Sequence, residues 1–225
     1  MNRNSIFKQI KEFFEKKESR YKVSVVEDHI LFTEGNLGYK FWTQFRCQNF
    51  GKTYLLNPNG TLVLITDLER EFDDLLIDDL KKENASEFTL AIGSKTISKF
   101  NDVFRFKAQT PESIEEYCYL MEGYIFELWE RFFDSLQNVE NIASYIAQYS
   151  FKGHNKVLVS GSFPIQFFKK MFLLYKGGEI DRYKEYKKGL YDLIKSYPEI
   201  NPKYKDRVPM FMNNFESLIK SLEHS

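Results

Sequence analysis

Tyr39-Lys40-Phe41-Trp42-Thr43-Gln44-Phe45-Arg46-Cys47 alternates without interruption. Tyr39, Phe41, Thr43, Phe45 and Cys47 fall on one side of an extended chain, and Lys40, Trp42, Gln44 and Arg46 on the other. A period of two with one apolar side is the pattern of an antiparallel strand that has one face covered. Downstream, Asn57-Pro58-Asn59-Gly60 supplies turn chemistry between Thr53–Leu56 and Thr61–Thr66, because proline fixes φ and Asn or Gly accepts positive φ, so a hairpin is expected. Phe88–Ile92, Val103–Lys107 and His29–Thr33 complete an expected set of five or six short strands.

Helical periodicity frames these strands. Ile6, Phe7, Ile10, Phe13 and Phe14 recur at helical spacing over residues 5–18, opposite Lys8, Lys11, Glu12 and Glu15. After the hairpin, Asp67 is placed to cap a helix with the stripe Leu68, Phe72, Leu75, Leu76 and Leu80. Thr110-Pro111-Glu112 reads as an N-cap, a proline at the first helical position and an early acid. The helix it opens carries Ile114, Tyr117, Cys118, Met121, Ile125, Leu128 and Phe132 on one stripe. Asn138 is expected to cap a helix to about Tyr149. Helices follow over Ile165–Tyr175, Ile180–Tyr197 and Pro209–Leu222, separated by Gly177-Gly178 and by Pro198 and Pro202.

Strands followed by helices predict an α+β fold, an antiparallel sheet of about five or six strands packed with helices and followed by a helical C-terminal portion. The expected division is 1–150, sheet-containing, and 151–225, a helical tail packed on the first portion as one domain. At 225 residues, such a chain can bury about 70% of its unfolded surface without disulfides or metals. Composition is that of an ordinary globular protein, 43% hydrophobic and 28% charged. The 17% aromatic share is high, and it predicts a core built from rings.

Other features exclude function classes. No run of about 18 apolar residues offers a membrane span, and the charged start lacks the pattern of a signal peptide. Cys47 and Cys118 form neither a CxxC pair nor a disulfide framework, so a reduced, cytoplasmic compartment is expected. His29, His154 and His224 share no metal-ligand spacing. No metal site and no cofactor are expected. His154 reads as a loop residue, and Ser160-Gly161-Ser162 resembles a nucleophile turn only superficially, because its flanking glycine pattern is absent.

Net charge is zero, but residues 1–150 carry 18 basic and 24 acidic side chains while residues 151–225 carry 14 and 8. That polarity can orient partners, or the two parts can attract one another. Glu71, Asp74 and Asp78 lie in the densest acidic run. A solvated helix face, a divalent-ion site and a plug for a cationic cleft are three readings of that run. The row Lys40, Trp42 and Arg46 holds residue types enriched at interface hot spots, unless a helix covers Trp42. The basic, aromatic tail around Lys169, Lys170, Lys184 and Lys188 reads as a solvated helical surface rather than a nucleic-acid track.

The order of these features, from the N-terminal helix through the strands to Thr110-Pro111-Glu112 and the aromatic helix reaching Trp129-Glu130-Arg131-Phe132-Phe133, resembles uncharacterised domains found as immunity proteins beside bacterial toxins. That resemblance implies a bacterial, cytoplasmic, non-enzymatic protein-binding module, an immunity or antitoxin-like inhibitor acting by surface occlusion. Its partner would be a protein, such as a basic toxin, and not a membrane. Glu71, Asp74, Asp78, Lys40, Trp42 and Arg46 are the expected contacts. The alternative is an enzyme or a nucleic-acid-associated protein whose site is assembled from distant residues.

Overall fold

Local capping decides where the helices begin. Asn2 Oδ1 accepts from the Ser5 amide at 2.9 Å while Ser5 Oγ accepts from the Asn2 amide at 3.1 Å, so two orphan donors are satisfied reciprocally at the start of α1 (Arg3–Lys16). Thr110 and Ser113 repeat the device at the start of α4 (Pro111–Leu128), with Ser113 Oγ accepting from the Thr110 amide and Thr110 Oγ1 accepting from the Ser113 amide. Asn138 caps α5 (Val139–Ala147) through a 2.8 Å bond from the Asn141 amide.

The computed structural model describes residues 2–16, 22–26, 29–36, 39–50, 53–58, 61–84, 89–93, 106–128 and 135–224. Side chains at 23, 25–26, 29–63, 65, 92–93 and 124–128 lie outside that description. The chain divides into two compact units, Met1–Ile65 with Ala91–Ser135, and Thr66–Leu90 with Leu136–Ser225. Each unit is therefore built from two separate stretches of sequence, which differs from a cut at residue 150.

The sheet-centred fold class expected above is overturned. Among residues whose side chains are described, 74% are helical and 7% lie in strands, so the body that carries the core is mainly helical. The described strand backbone comprises β1 (Lys22–Val26), β2 (His29–Asn36), β3 (Tyr39–Phe50), β4 (Thr53–Pro58), β5 (Thr61–Thr66), β6 (Leu90–Gly93) and β7 (Phe106–Ala108). These run in the order β1-β2-β3-β4-β7, with β5 branching off to pair β3 and β6. Consequently β4 and β5 do not form the expected hairpin with each other. Turn residues fix where a chain reverses, whereas the edge it then joins is decided by what else is available. The twelve-residue β3 gives Phe45–Phe50 to β4. The turn positions Asn59 and Gly60 lie outside the described residues.

In the first unit α1 packs against α4 and β1. Ile6, Phe7, Ile10 and Phe14 are at most 2% exposed, as are Ile114, Tyr117, Cys118 and Met121 of α4. Phe106 of β7 meets Tyr117 at a ring separation of 5.3 Å. The expected continuation of this helix through Trp129 to Phe133 lies outside the described residues.

The second unit is organised around α6 (Ile165–Lys176), which is buried on nearly every side: Ile165 and the whole run Phe167–Leu174 are buried. It is flanked by α5, α7 (Ile180–Ile200) and α8 (Val208–Glu223). Gly177 permits the approach of α5, since a Cβ there would lie 2.3 Å from Ala143 Cβ and 2.6 Å from the Val139 carbonyl oxygen. Tyr183, Tyr186, Leu190 and Ile194 form the buried face of α7. Pro198 sits inside the last turn rather than ending the helix at Tyr197. Phe163 stacks on Tyr197 at 3.8 Å, and Tyr204 and Phe211 close the cluster edge-on.

The acidic stretch that precedes β6 also belongs to this unit. It forms two short helices, α2 (Leu68–Asp74) and α3 (Asp78–Glu83), rather than one. The break has a visible cause. The Ile77 amide donates to Asn214 Oδ1 at 2.8 Å, while Ile77 itself is extended with ψ 152°, so the helical ladder is interrupted there. Asp67 precedes α2 with helical angles and makes no side-chain cap bond, so the expected cap is not formed.

Candidate functional site

The charge polarity of the sequence is spent inside the second unit. Residues 66–90 carry nine Asp and Glu against three Lys and Arg, and residues 136–225 carry nine against fourteen. Among the described residues, three ion pairs join them: Glu69 to Lys169 at 2.5 Å, Glu71 to Lys176 at 2.5 Å and Glu83 to Arg207 at 2.5 Å. The Arg207 pair is bidentate from one nitrogen to both Glu83 oxygens. The guanidinium also lies 4.9 Å from the Phe211 ring.

This placement changes the reading of the expected contact residues. Glu71 is exposed but already faces Lys176, and Asp74 accepts from Lys81 at 3.0 Å. Asp78 is exposed in the first turn of α3. The hydrogen bond that Lys81 donates to Asp74 raises the Lys81 pKa, and the charges of Asp74, Asp73 and Asp78 add to it. For Lys40, Trp42 and Arg46, the backbone register is fixed opposite Gly35, Thr33 and His29. Their side chains lie outside the described residues. Among the described residues, no group of three His, Cys, Asp or Glu could hold a metal ion, and no helix is long and apolar enough to cross a membrane.

The chemically dense part of the second unit is the lysine pair of α6. Lys169 is 1% exposed and its ammonium donates to Glu69 and to Ser160 Oγ, above the Phe72 ring at 5.3 Å. Burial lowers its pKa, while the charge of Glu69 and the hydrogen bond to it oppose that shift. A serine beside a lysine is a nucleophile–base arrangement when the amine is neutral and open to substrate. Here the amine is held beside a carboxylate, and Ser160 is only 5% exposed. The cluster therefore acts as an ionic clamp between α2 and α6.

Lys170 is 0% exposed and donates to the His154 carbonyl at 2.6 Å. Burial pulls its pKa from 10.5 down to about 8. His154 is half-buried, its ring 4.5 Å from that of Phe167, and burial and then Lys170 lower its pKa. Below pH 8 both folded and unfolded chains hold the Lys170 proton, so the cost of burying the charge is fully felt. Between 8 and 10.5 the folded chain releases it first, and stability rises with pH. Tyr145 and Tyr186, pushed up to about 12 by burial, act in the opposite sense above pH 10. The comparison with Lys170→Met isolates the lysine. That variant is expected to exceed the wild type by about 1 kcal/mol at pH 7, allowing for the lost hydrogen bond. Urea midpoints should show the advantage shrinking above pH 8 and reversing before pH 10.5; a constant difference would refute the assignment.

A groove of about 470 Å³ on the first unit has a different character. Its walls are one face of α1 and one face of α4. Ile114 and Cys118, each 1% exposed, form the floor, and Phe13 and Tyr119 meet edge-to-face across it at 5.0 Å. Tyr119 remains 54% exposed. Among the described residues that line the groove, Glu12, Glu112 and Glu115 face one cation, Lys16, and Glu12 also lies 3.7 Å from the exposed Lys8 ammonium. α4 carries five glutamates and neither lysine nor arginine. Hydrogen bonds from its own backbone and from Thr110 lower the Glu112 pKa, so this carboxylate stays ionised at neutral pH. Sequence reading missed this site. Its signal was Tyr119, an aromatic residue off the buried stripe and among Glu115, Glu116 and Glu122.

No family model, curated protein or solved structure matches the chain.

Proposed function

We propose that the chain is a protein-binding module that seats a segment of its partner in the groove between α1 and α4. The observation that supports this most directly is Tyr119, an exposed aromatic ring above a buried apolar floor and between carboxylates. A ring that supplies contact area at little conformational cost, surrounded by polar groups, is the arrangement of an interface anchor with its rim. Under this reading the protein works by occlusion, as an immunity or antitoxin-like inhibitor does, and the lysine pair of α6 has a place in the packing of the second unit rather than in turnover.

Tagged wild type and Tyr119→Asp, each used to capture partners from native lysate with neighbouring gene products co-expressed, test the proposal. The substitution also removes the ring contact between Tyr119 and Phe13, so far-ultraviolet circular dichroism of both proteins accompanies the capture. A stoichiometric protein retained by the wild type and lost by Tyr119→Asp is the expected result. Equal capture by both, or turnover in a hydrolase screen without any partner, would refute it.

A further inference from the structure

We infer that the segment taken by this groove is an amphipathic α-helix whose apolar stripe is flanked by Lys and Arg; the inference rests on the groove being the binding site. Charge gives the first half of the argument. Among its described lining residues the groove has three carboxylates to one ammonium, Glu12 being shared with the exposed Lys8 at 3.7 Å, and the exposed face of α4 adds Glu116 with no cation on that helix. An acidic segment would meet like charge, whereas a basic one is steered inward and fixed in register.

Backbone chemistry gives the second half. One wall is the first two turns of α4, where Pro111 has no amide, the Ser113 amide is taken by Thr110 Oγ1 and the Ile114 amide by the Thr110 carbonyl, both at 3.3 Å, so this wall offers an extended peptide no ladder to join. A helix satisfies its own backbone and needs only side-chain contacts, as in helix-in-groove recognition. The dimensions agree: the lining runs from Gln9 to Lys16 on α1 and from Pro111 to Tyr119 on α4, about 10 and 12 Å of helix axis. That length accommodates anchors at i, i+3 or i+4, and i+7 of a third helix.

Two synthetic 18-residue helical peptides with identical Leu and Phe stripes, one flanked by Lys and Arg and the other by Glu, provide the test. Fluorescence anisotropy would follow each against the full chain at 0.15 M salt. The wild type should bind the basic peptide at least tenfold more tightly than the acidic one. The exposed triple substitution Glu12→Lys, Glu112→Lys and Glu115→Lys should invert that preference. Tyr119→Asp should weaken both.

Equal binding of the two peptides by the wild type, no saturable binding of the basic peptide, or a preference unmoved by the triple substitution would overturn the inference. So would a homodimer in light scattering that Tyr119→Asp dissolves, since the occupant would then be a second copy. If lysate capture is lost in Tyr119→Asp but kept by the triple variant, the binding-module reading stands and the basic-helix inference falls.

Discussion

Glu69→Ala is expected to cost the second unit about 4 kcal/mol, measured as the shift in urea unfolding followed by far-ultraviolet circular dichroism. The partner it abandons, Lys169, is 1% exposed, and removing the carboxylate 2.5 Å away takes from its ammonium the ion pair that ties α6 to α2. Breaking a buried pair from one side costs about 3–5 kcal/mol, because the remaining charge keeps its desolvation penalty. The converse change behaves differently. Lys169→Met keeps the packing against Phe72 and removes the charge that must be compensated. It should lie within about 1 kcal/mol of wild type, and adding it to Glu69→Ala should recover most of the loss. A Glu69→Ala protein as stable as wild type would show that the clamp contributes nothing.

The second large effect concerns Gly189, inside α7. A Cβ built there would lie 2.4 Å from Phe151 Cδ1 and 2.6 Å from Cγ. The ring cannot retreat easily. It is wedged against Phe167 and Tyr186, with centroids at 5.5 and 5.3 Å, and its own amide donates to Glu185 at 2.9 Å. Gly189→Val therefore overfills a packed site and is expected to cost about 3 kcal/mol, well above the few tenths gained in helix propensity. In a Phe151→Ala background the added methyl groups have room, and the same substitution should cost under about 1 kcal/mol. If the cost is the same in both backgrounds, the ring is not the obstacle.

Legibility in the sequence followed the range of each interaction. Caps at Thr110 and Asn138 were readable, because donor and acceptor lie three residues apart. Asp67 looked equally suitable, yet the backbone around it turned helical early and its side chain bonded no amide. The strand backbone at Tyr39–Phe50 was legible from alternation, whereas the partners of β4 and β5 were not, since pairing is settled by distant edges. Misjudging how much core lay in the helices produced the wrong fold class.

Lys169 and Lys170 read as solvated cations because helical surfaces ordinarily carry lysine. The warning was that Ile165–Tyr175 has only Gln166 beside them as a polar residue, too few to make a solvated face. Counting charges on either side of residue 150 likewise separated groups that meet in space. Glu71 was chosen as a contact for a foreign cation, and its cation is Lys176.

The interleaving of the two units sets a timetable for synthesis. One hundred residues separate Glu69 from Lys169, roughly 5–20 s of translation at typical rates. During that interval the carboxylates of residues 66–90 remain in water beside the ribosome, while the stretch through residue 135 can complete the first unit. The acidic stretch then waits for Lys169, Lys176 and Arg207, all of which are synthesised after it.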